Sequence, residues 1–165
     1  MMTDLLEAVV AGDSERVTRL MHTRPDAADV FNAVVACIEG DKADMLSVLL
    51  ANGVDANLRI PGHDWTLLHL AAEHQSAATL ALLLERDADV KMVDASGCTP
   101  LHHAVDIEAD AAHQADGTPE PILTHLLLRA GADPRAKDAE GKTPIDIARE
   151  YDYAAALTAM ESVSA

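Results

Sequence analysis

The chain has 165 residues and a formal charge of −16, from 28 acidic against 12 basic side chains. A field of that sign repels nucleic-acid phosphate and anionic lipid, so neither is expected as a partner; it attracts cationic partners, unless the acidity serves solubility alone. Aromatic residues are only 2% of the chain, so Ala and Leu must build the core from many small helix–helix contacts, which disfavours strand-rich folds.

Met1-Met2-Thr3-Asp4-Leu5-Leu6-Glu7 puts acid where a secretory signal would carry Lys or Arg, and no apolar run reaches membrane-spanning length. The expectation is a soluble, cytoplasmic protein, with Cys37 and Cys98 as free thiols because neither has a partner at metal-ligand spacing. Leu5–Asp13 and Phe31–Asp41 each read as a degenerate first helix with its turn. A helix rich in Leu then ends at Gly53-Val54-Asp55, where Gly supplies the left-handed residue past the helix end.

Further on a pattern recurs. Thr66-Leu67-Leu68-His69 and Thr99-Pro100-Leu101-His102 stand 33 residues apart (66 to 99), and Thr143-Pro144-Ile145-Asp146 follows after 44 (99 to 143). Each Thr is placed as an N-cap, and Pro100 and Pro144 occupy the first helical position, where a missing amide hydrogen costs nothing. The second helices stop at Gly53, Asp87 and Gly131. From stop to next start is 12 residues for 87 to 99 and for 131 to 143 but 13 for 53 to 66, so the turn Ile60-Pro61-Gly62-His63-Asp64 carries one extra residue. From start to stop is 21 residues for 66 to 87 and 32 for 99 to 131, which puts 11 additional residues near Glu108–Thr118, between two helices. The last helix is expected at about 153–161.

The 33-residue period, Thr-Pro-Leu-His-x-Ala at 99–104, Gly-Ala-Asp at 131–133, and the turns Asp94-Ala95-Ser96-Gly97 and Asp138-Ala139-Glu140-Gly141 resemble the ankyrin repeat. The resemblance implies an all-α solenoid: one domain over 1–165, with five stacked helix-turn-helix units at about 1–25, 26–60, 61–93, 94–137 and 138–165, and β-turn fingers at right angles. Departures are Leu67 for Pro, Gln75 for the usual inter-helix Gly, the extra finger residue, and Asp146 for His. End units are expected to be atypical, having one face to solvent.

The resemblance further implies a concave face of fingers and first helices for another protein. Trp65, Cys98 and Lys142 match the outward position between the finger Gly and the Thr. Trp65, the only Trp, is the leading anchor, since Trp is enriched among binding hot spots; alternatively the longer finger folds its indole back onto the first helix. Ala95, Ser96, Ala139, Glu140, Glu73 and His74 follow by the same carry-over. His69 and His102 match the position that bonds neighbouring turns and are read as structural.

Asp106, Glu108, Asp110, Asp116 and Glu120 make the insertion acidic, either as a private contact for a basic partner or as a solvated extension. The alternative function is a metal site or acid–base group formed by His103, His113 and His125. Their spacing matches no ligand motif, and GxGxxG, P-loop, nucleophile-elbow and CxxC patterns are absent. The reading is therefore a non-enzymatic module without cofactor, monomeric when free, that binds a protein partner. Its sharpest form is an inhibitor or immunity-type protein neutralising a basic toxin or enzyme.

Overall fold

A computed structural model describes residues 3–61, 64–114 and 119–163. Among them are ten α-helices: α1 (Asp4–Ala11), α2 (Ser14–His22), α3 (Ala27–Glu39), α4 (Ala43–Ala51), α5 (Leu67–Glu73), α6 (Ala77–Glu85), α7 (Pro100–Gln114), α8 (Ile122–Arg129), α9 (Pro144–Glu150) and α10 (Ala154–Val163). Each odd-numbered helix packs on the even one that follows it and on the odd one of the next pair, and the even helices pack on one another. The result is an inner and an outer row, with the core between them, stacked as a solenoid.

Local chemistry sets the helix ends. Thr66 and Thr143 cap α5 and α9, and Pro144 opens α9 without losing a bond. Gly53, Asp87 and Gly131 all have positive φ past the ends of α4, α6 and α8, and Gln75 takes the left-handed turn expected of the glycine it replaces. The core between the rows consists of Leu46, Leu49, Leu67, Leu68, Leu80, Leu83, Leu101 and Leu127, all fully buried, spaced by Ala8, Ala71, Ala104 and Ala148. Alanines let the helix axes approach, and leucines fill what remains.

His69 and His102 are buried and tie consecutive pairs together. The Thr66 amide donates to His69 Nδ1 at 3.1 Å, which leaves Nε2–H to donate to the Cys98 carbonyl at 2.9 Å. His102 repeats the arrangement with Thr99 and, at 3.2 Å, the Lys142 carbonyl. Asp146 keeps only the local half: it accepts from the Thr143 amide and hydroxyl at 3.1 and 2.7 Å but has no second donor for a further finger.

Two regions differ from the sequence expectation. The additional residues were expected to begin a loop at Glu108; instead α7 runs on to Gln114, fifteen residues against seven in α5. Ala109, Ala111 and Ala112 favour that continuation. Residues 115–118, the rest of the expected insertion, lie outside the described residues, among them Asp116, as do Gly62 and His63 of the longer finger. The return toward α8 is pinned where the buried Tyr153 hydroxyl donates to the Pro119 carbonyl at 2.9 Å. Near the other end, only Thr23–Asp26 join α2 to α3, so the second pair has no finger, and α3 starts about a turn and a half earlier than α5 does.

Candidate protein-binding face

Fingers stand where Asp94 and Asp138 organise them. Oδ1 of Asp94 accepts from the amides of Ser96 and Cys98 at 2.8 and 2.9 Å, and Oδ1 of Asp138 accepts from Glu140 and Lys142, each at 2.9 Å. The two turns stack through the Ala139 amide, which donates to the Ser96 carbonyl at 2.9 Å. In the longer finger Ile60 stands where Asp94 and Asp138 stand in theirs, and its amide donates to the Trp65 carbonyl at 2.7 Å. Arg59 ties this turn to the next by donating to the Asp64 and Val93 carbonyls.

Trp65 is half-buried. Its ring meets the edge of the His103 imidazole at 4.9 Å and 78°, so the indole leans on the first helix of the following pair. His103 is held in turn by Asp94 Oδ2 at 3.0 Å and lies 3.5 Å from Glu73 Oε2. Burial alone would raise the Asp94 carboxyl; hydrogen bonds from His103, Cys98 and Ser96 outweigh it and hold the group below its ordinary range.

Beside this cluster lies a groove of about 410 Å³ lined by Ser96, Cys98, His103, Asp106, Glu140 and Lys142, together with Asp138. Five candidate residues from the fourth and fifth pairs thus share one surface. Burial, then the charges of Asp94, Asp138, Asp106 and Glu140, push the Cys98 thiol up to about 11, so it is protonated at neutral pH and a poor nucleophile. Lys142 bonds Glu150 across the groove edge, which raises its pKa.

The remaining candidates scatter. Ala95 is exposed on its turn, His74 lies 3.9 Å from Glu39 of the preceding pair, and the Asp110 carboxylate accepts from Gln114 on its own helix at 2.7 Å. Glu108 is not a surface contact at all. It is 6% exposed, and its carboxylate accepts from the Leu123 and Thr124 amides at 2.6 and 3.2 Å and from the Thr124 hydroxyl at 2.7 Å. The cause is Pro121, which stands at the N-cap of α8 and has no acceptor of its own, so α7 supplies one. Burial raises the Glu108 pKa against the lowering by those hydrogen bonds.

The metal alternative fails on geometry. His103 and His113 are ten residues apart on α7, about 15 Å along its axis, and His113 and His125 are exposed on different helices. Among the described residues no three His, Cys, Asp or Glu side chains gather to hold an ion.

One feature escaped the sequence reading. Glu39, Glu73 and Glu150 are the last residues of α3, α5 and α9, Asp106 is the corresponding seventh residue of the longer α7, and all four are exposed. They form a row of carboxylates along the inner helices. Tyr151, exposed beside Asp106, whose charge raises its pKa, occupies the place of His74. Carrying the Glu73-His74 position forward by one and two motifs would have found Asp106, Glu150 and Tyr151 together.

The family description for ankyrin repeats (three copies) matches residues 5–94 and 33–113, and that for the ankyrin repeat matches 96–139. The chain belongs to the ankyrin repeat family, whose repeats form protein–protein interaction modules. It is 29% identical to a mitochondrial disaggregase of Bos taurus over 96% of this chain and 23% of that protein. It is 29% identical to the nuclear factor NF-kappa-B p105 subunit of Gallus gallus over 74% of this chain and 13% of that protein, and 31% identical to the B-cell lymphoma 3 protein of Homo sapiens over 71% and 31%. The chain therefore spans less than a third of each of these relatives. Among the described residues no helix is long and apolar enough to cross a membrane.

Proposed function

We propose that the chain is a non-enzymatic scaffold, monomeric when free, that holds a basic protein partner against its inner helices and fingers. The row Glu39, Glu73, Asp106 and Glu150 carries this reading. Four carboxylates at equivalent places on adjacent helices repeat at the interhelical spacing of about 10 Å, a ladder suited to lysines and arginines of a partner. Trp65, Ser96, Cys98, Glu140 and Lys142 border the ladder, with His74, Ala95 and Asp110 at its margins. The sharpest version is an inhibitor or immunity-type protein of the cytoplasm that covers the cationic substrate groove of a toxin or nuclease.

Salt titration tests it. With the partner captured from the source cell, association should slow about tenfold or more as NaCl rises from about 0.05 to 0.5 M, because screening shortens the reach of the carboxylates. The double variant Glu73→Lys with Asp106→Lys should abolish most of that dependence. Association that is indifferent to both would leave an adaptor that reads its partner by shape.

A further inference from the structure

A second surface lies away from the acidic ladder, where the second helix pair lacks its finger. Between α2, the first turns of α3 and the chain that follows α4 runs a groove of about 620 Å³, lined mainly by Met21, Val30, Phe31, Val54, Leu58 and Pro61. Its lining is mostly apolar, with Asp55 and Arg59 as its charged members, unlike that of the groove at Cys98.

The chain itself shows what covers this surface elsewhere. Val54-Asp55-Ala56-Asn57-Leu58 corresponds to Ala88-Asp89-Val90-Lys91-Met92 and to Ala132-Asp133-Pro134-Arg135-Ala136 in the next two pairs. At the first of these, the preceding finger lies alongside: Asn57 Oδ1 accepts from the Asp89 amide at 2.8 Å and Arg59 donates to the Val93 carbonyl at 3.0 Å. Three residues past the second, in the same finger, the Ser96 carbonyl accepts from Ala139, and the backbone at Gly97 lies so close that a Cβ there would sit 2.8 Å from the Ala139 nitrogen. Only beside Val54–Leu58 is there no preceding finger, because four residues join α2 to α3. The finger row ends there with its apolar flank uncovered.

We infer that this groove, between the start of α3 and the turn-containing segment 54–61, is a docking surface for a β-turn finger of a partner protein that carries apolar side chains on one flank and continues the finger row in place of the missing finger. The recognition would repeat the contacts between the chain's own fingers, side chain to main chain as from Asn57 to Asp89 and from Arg59 to Val93, with apolar side chains seated between Phe31 and Leu58. It is independent of the acidic ladder: the lining is mostly apolar and its two charged residues, Asp55 and Arg59, are of opposite sign, so binding here should depend only weakly on salt.

The chain's own finger supplies a probe. A backbone-cyclised peptide of residues 88–99 with Cys98→Ser, which keeps the turn preorganised, is titrated into the full-length protein labelled at its methyl groups. Saturable shifts confined to Met21, Val30, Val54 and Leu58 are expected, with affinity at least tenfold weaker for Leu58→Asp and unchanged by Asp106→Lys. If Leu58→Asp fails to fold, as judged by circular dichroism, Phe31→Ser serves instead. Absence of saturable shifts at millimolar peptide, equal binding of a scrambled cyclic peptide, or shifts centred on Cys98 and Asp106 would overturn the inference. None of these outcomes bears on the salt titration of the acidic face.

Discussion

The imidazole of His69 donates from Nε2 to the carbonyl of Cys98, 2.9 Å away in the following finger, so a buried ring in one pair fixes the height of the finger turn in the next. The bond requires the neutral ring, because Nδ1 is already accepting from Thr66. Burial, the largest influence, pushes the His69 pKa down to about 4. His102 is lowered in the same direction and for the same reason.

The sign of the resulting pH dependence follows from proton uptake. Between about pH 6.5 and 4 the unfolded chain protonates His69 while the folded chain refuses, so this contribution to stability is complete above pH 6.5 and is lost as the pH falls. At pH 5 the loss is about 2 kcal/mol for His69. Glu108 works oppositely, since its raised folded pKa gives stability that is lost as pH rises. Urea unfolding at pH 7.5 and 5.0 should show a marked acid loss in the native chain, smaller by about 2 kcal/mol in His69→Gln. Identical losses in both would assign the acid sensitivity elsewhere.

Glu108 holds the long α7 to α8 by accepting at the start of the latter. Glu108→Ala strands two buried amides and a hydroxyl and should cost about 2 kcal/mol. Glu108→Gln keeps one acceptor and should cost about half as much. Urea midpoints give the totals, and hydrogen exchange at Leu123 and Thr124 should accelerate in Glu108→Ala ahead of the rest of the chain. Unchanged exchange there would mean that solvent caps the helix equally well.

That carboxylate also shows where reading the residues stops. Thr-Pro starts, left-handed stops and the paired roles of His69 and His102 are local, since each needs only its own turn and one neighbour, and they were legible. Glu108 was not, because its role depends on Pro121 thirteen residues away failing to cap α8. Spacing revealed additional residues but could not say that alanines would carry α7 through most of them. The missing finger of the second pair hid behind the absence of any Thr-Pro start there. The row of Glu39, Glu73, Asp106 and Glu150 was available from the register yet invisible residue by residue, since a single exposed acid is unremarkable.

Trp65 is only half-buried, and His103 steadies the ring without covering it. A rigid indole beside an acidic groove fits the description of a binding hot spot, so Trp65→Ala should weaken the complex by about 2 kcal/mol, roughly 30-fold. Helicity of the free protein should be kept, and its urea midpoint should fall by less than the loss in affinity, since the ring also packs on the core and on His103. A large stability loss with unaltered affinity would make the ring part of the stack and remove it from the binding face.

Gly97 and Gly141 separate two costs that usually come mixed. Both have positive φ, 75° and 85°, so Ala at either suffers the left-handed penalty of about 1 kcal/mol. At Gly141 a new methyl would meet nothing within 4 Å, whereas at Gly97 it would press on the Ala139 nitrogen at 2.8 Å, with the backbone of Asp138 close behind. Backbone cannot yield as a side-chain tip can, so Gly97→Ala should cost at least about 1 kcal/mol more than Gly141→Ala. The same variant spreads two fingers that line the groove at Cys98. Gly97→Ala should therefore weaken partner binding beyond its effect on folding, while Gly141→Ala should leave affinity within about twofold. Calorimetric unfolding and titration of both variants check this together, and equal costs at the two positions would mean that the fingers are free to separate.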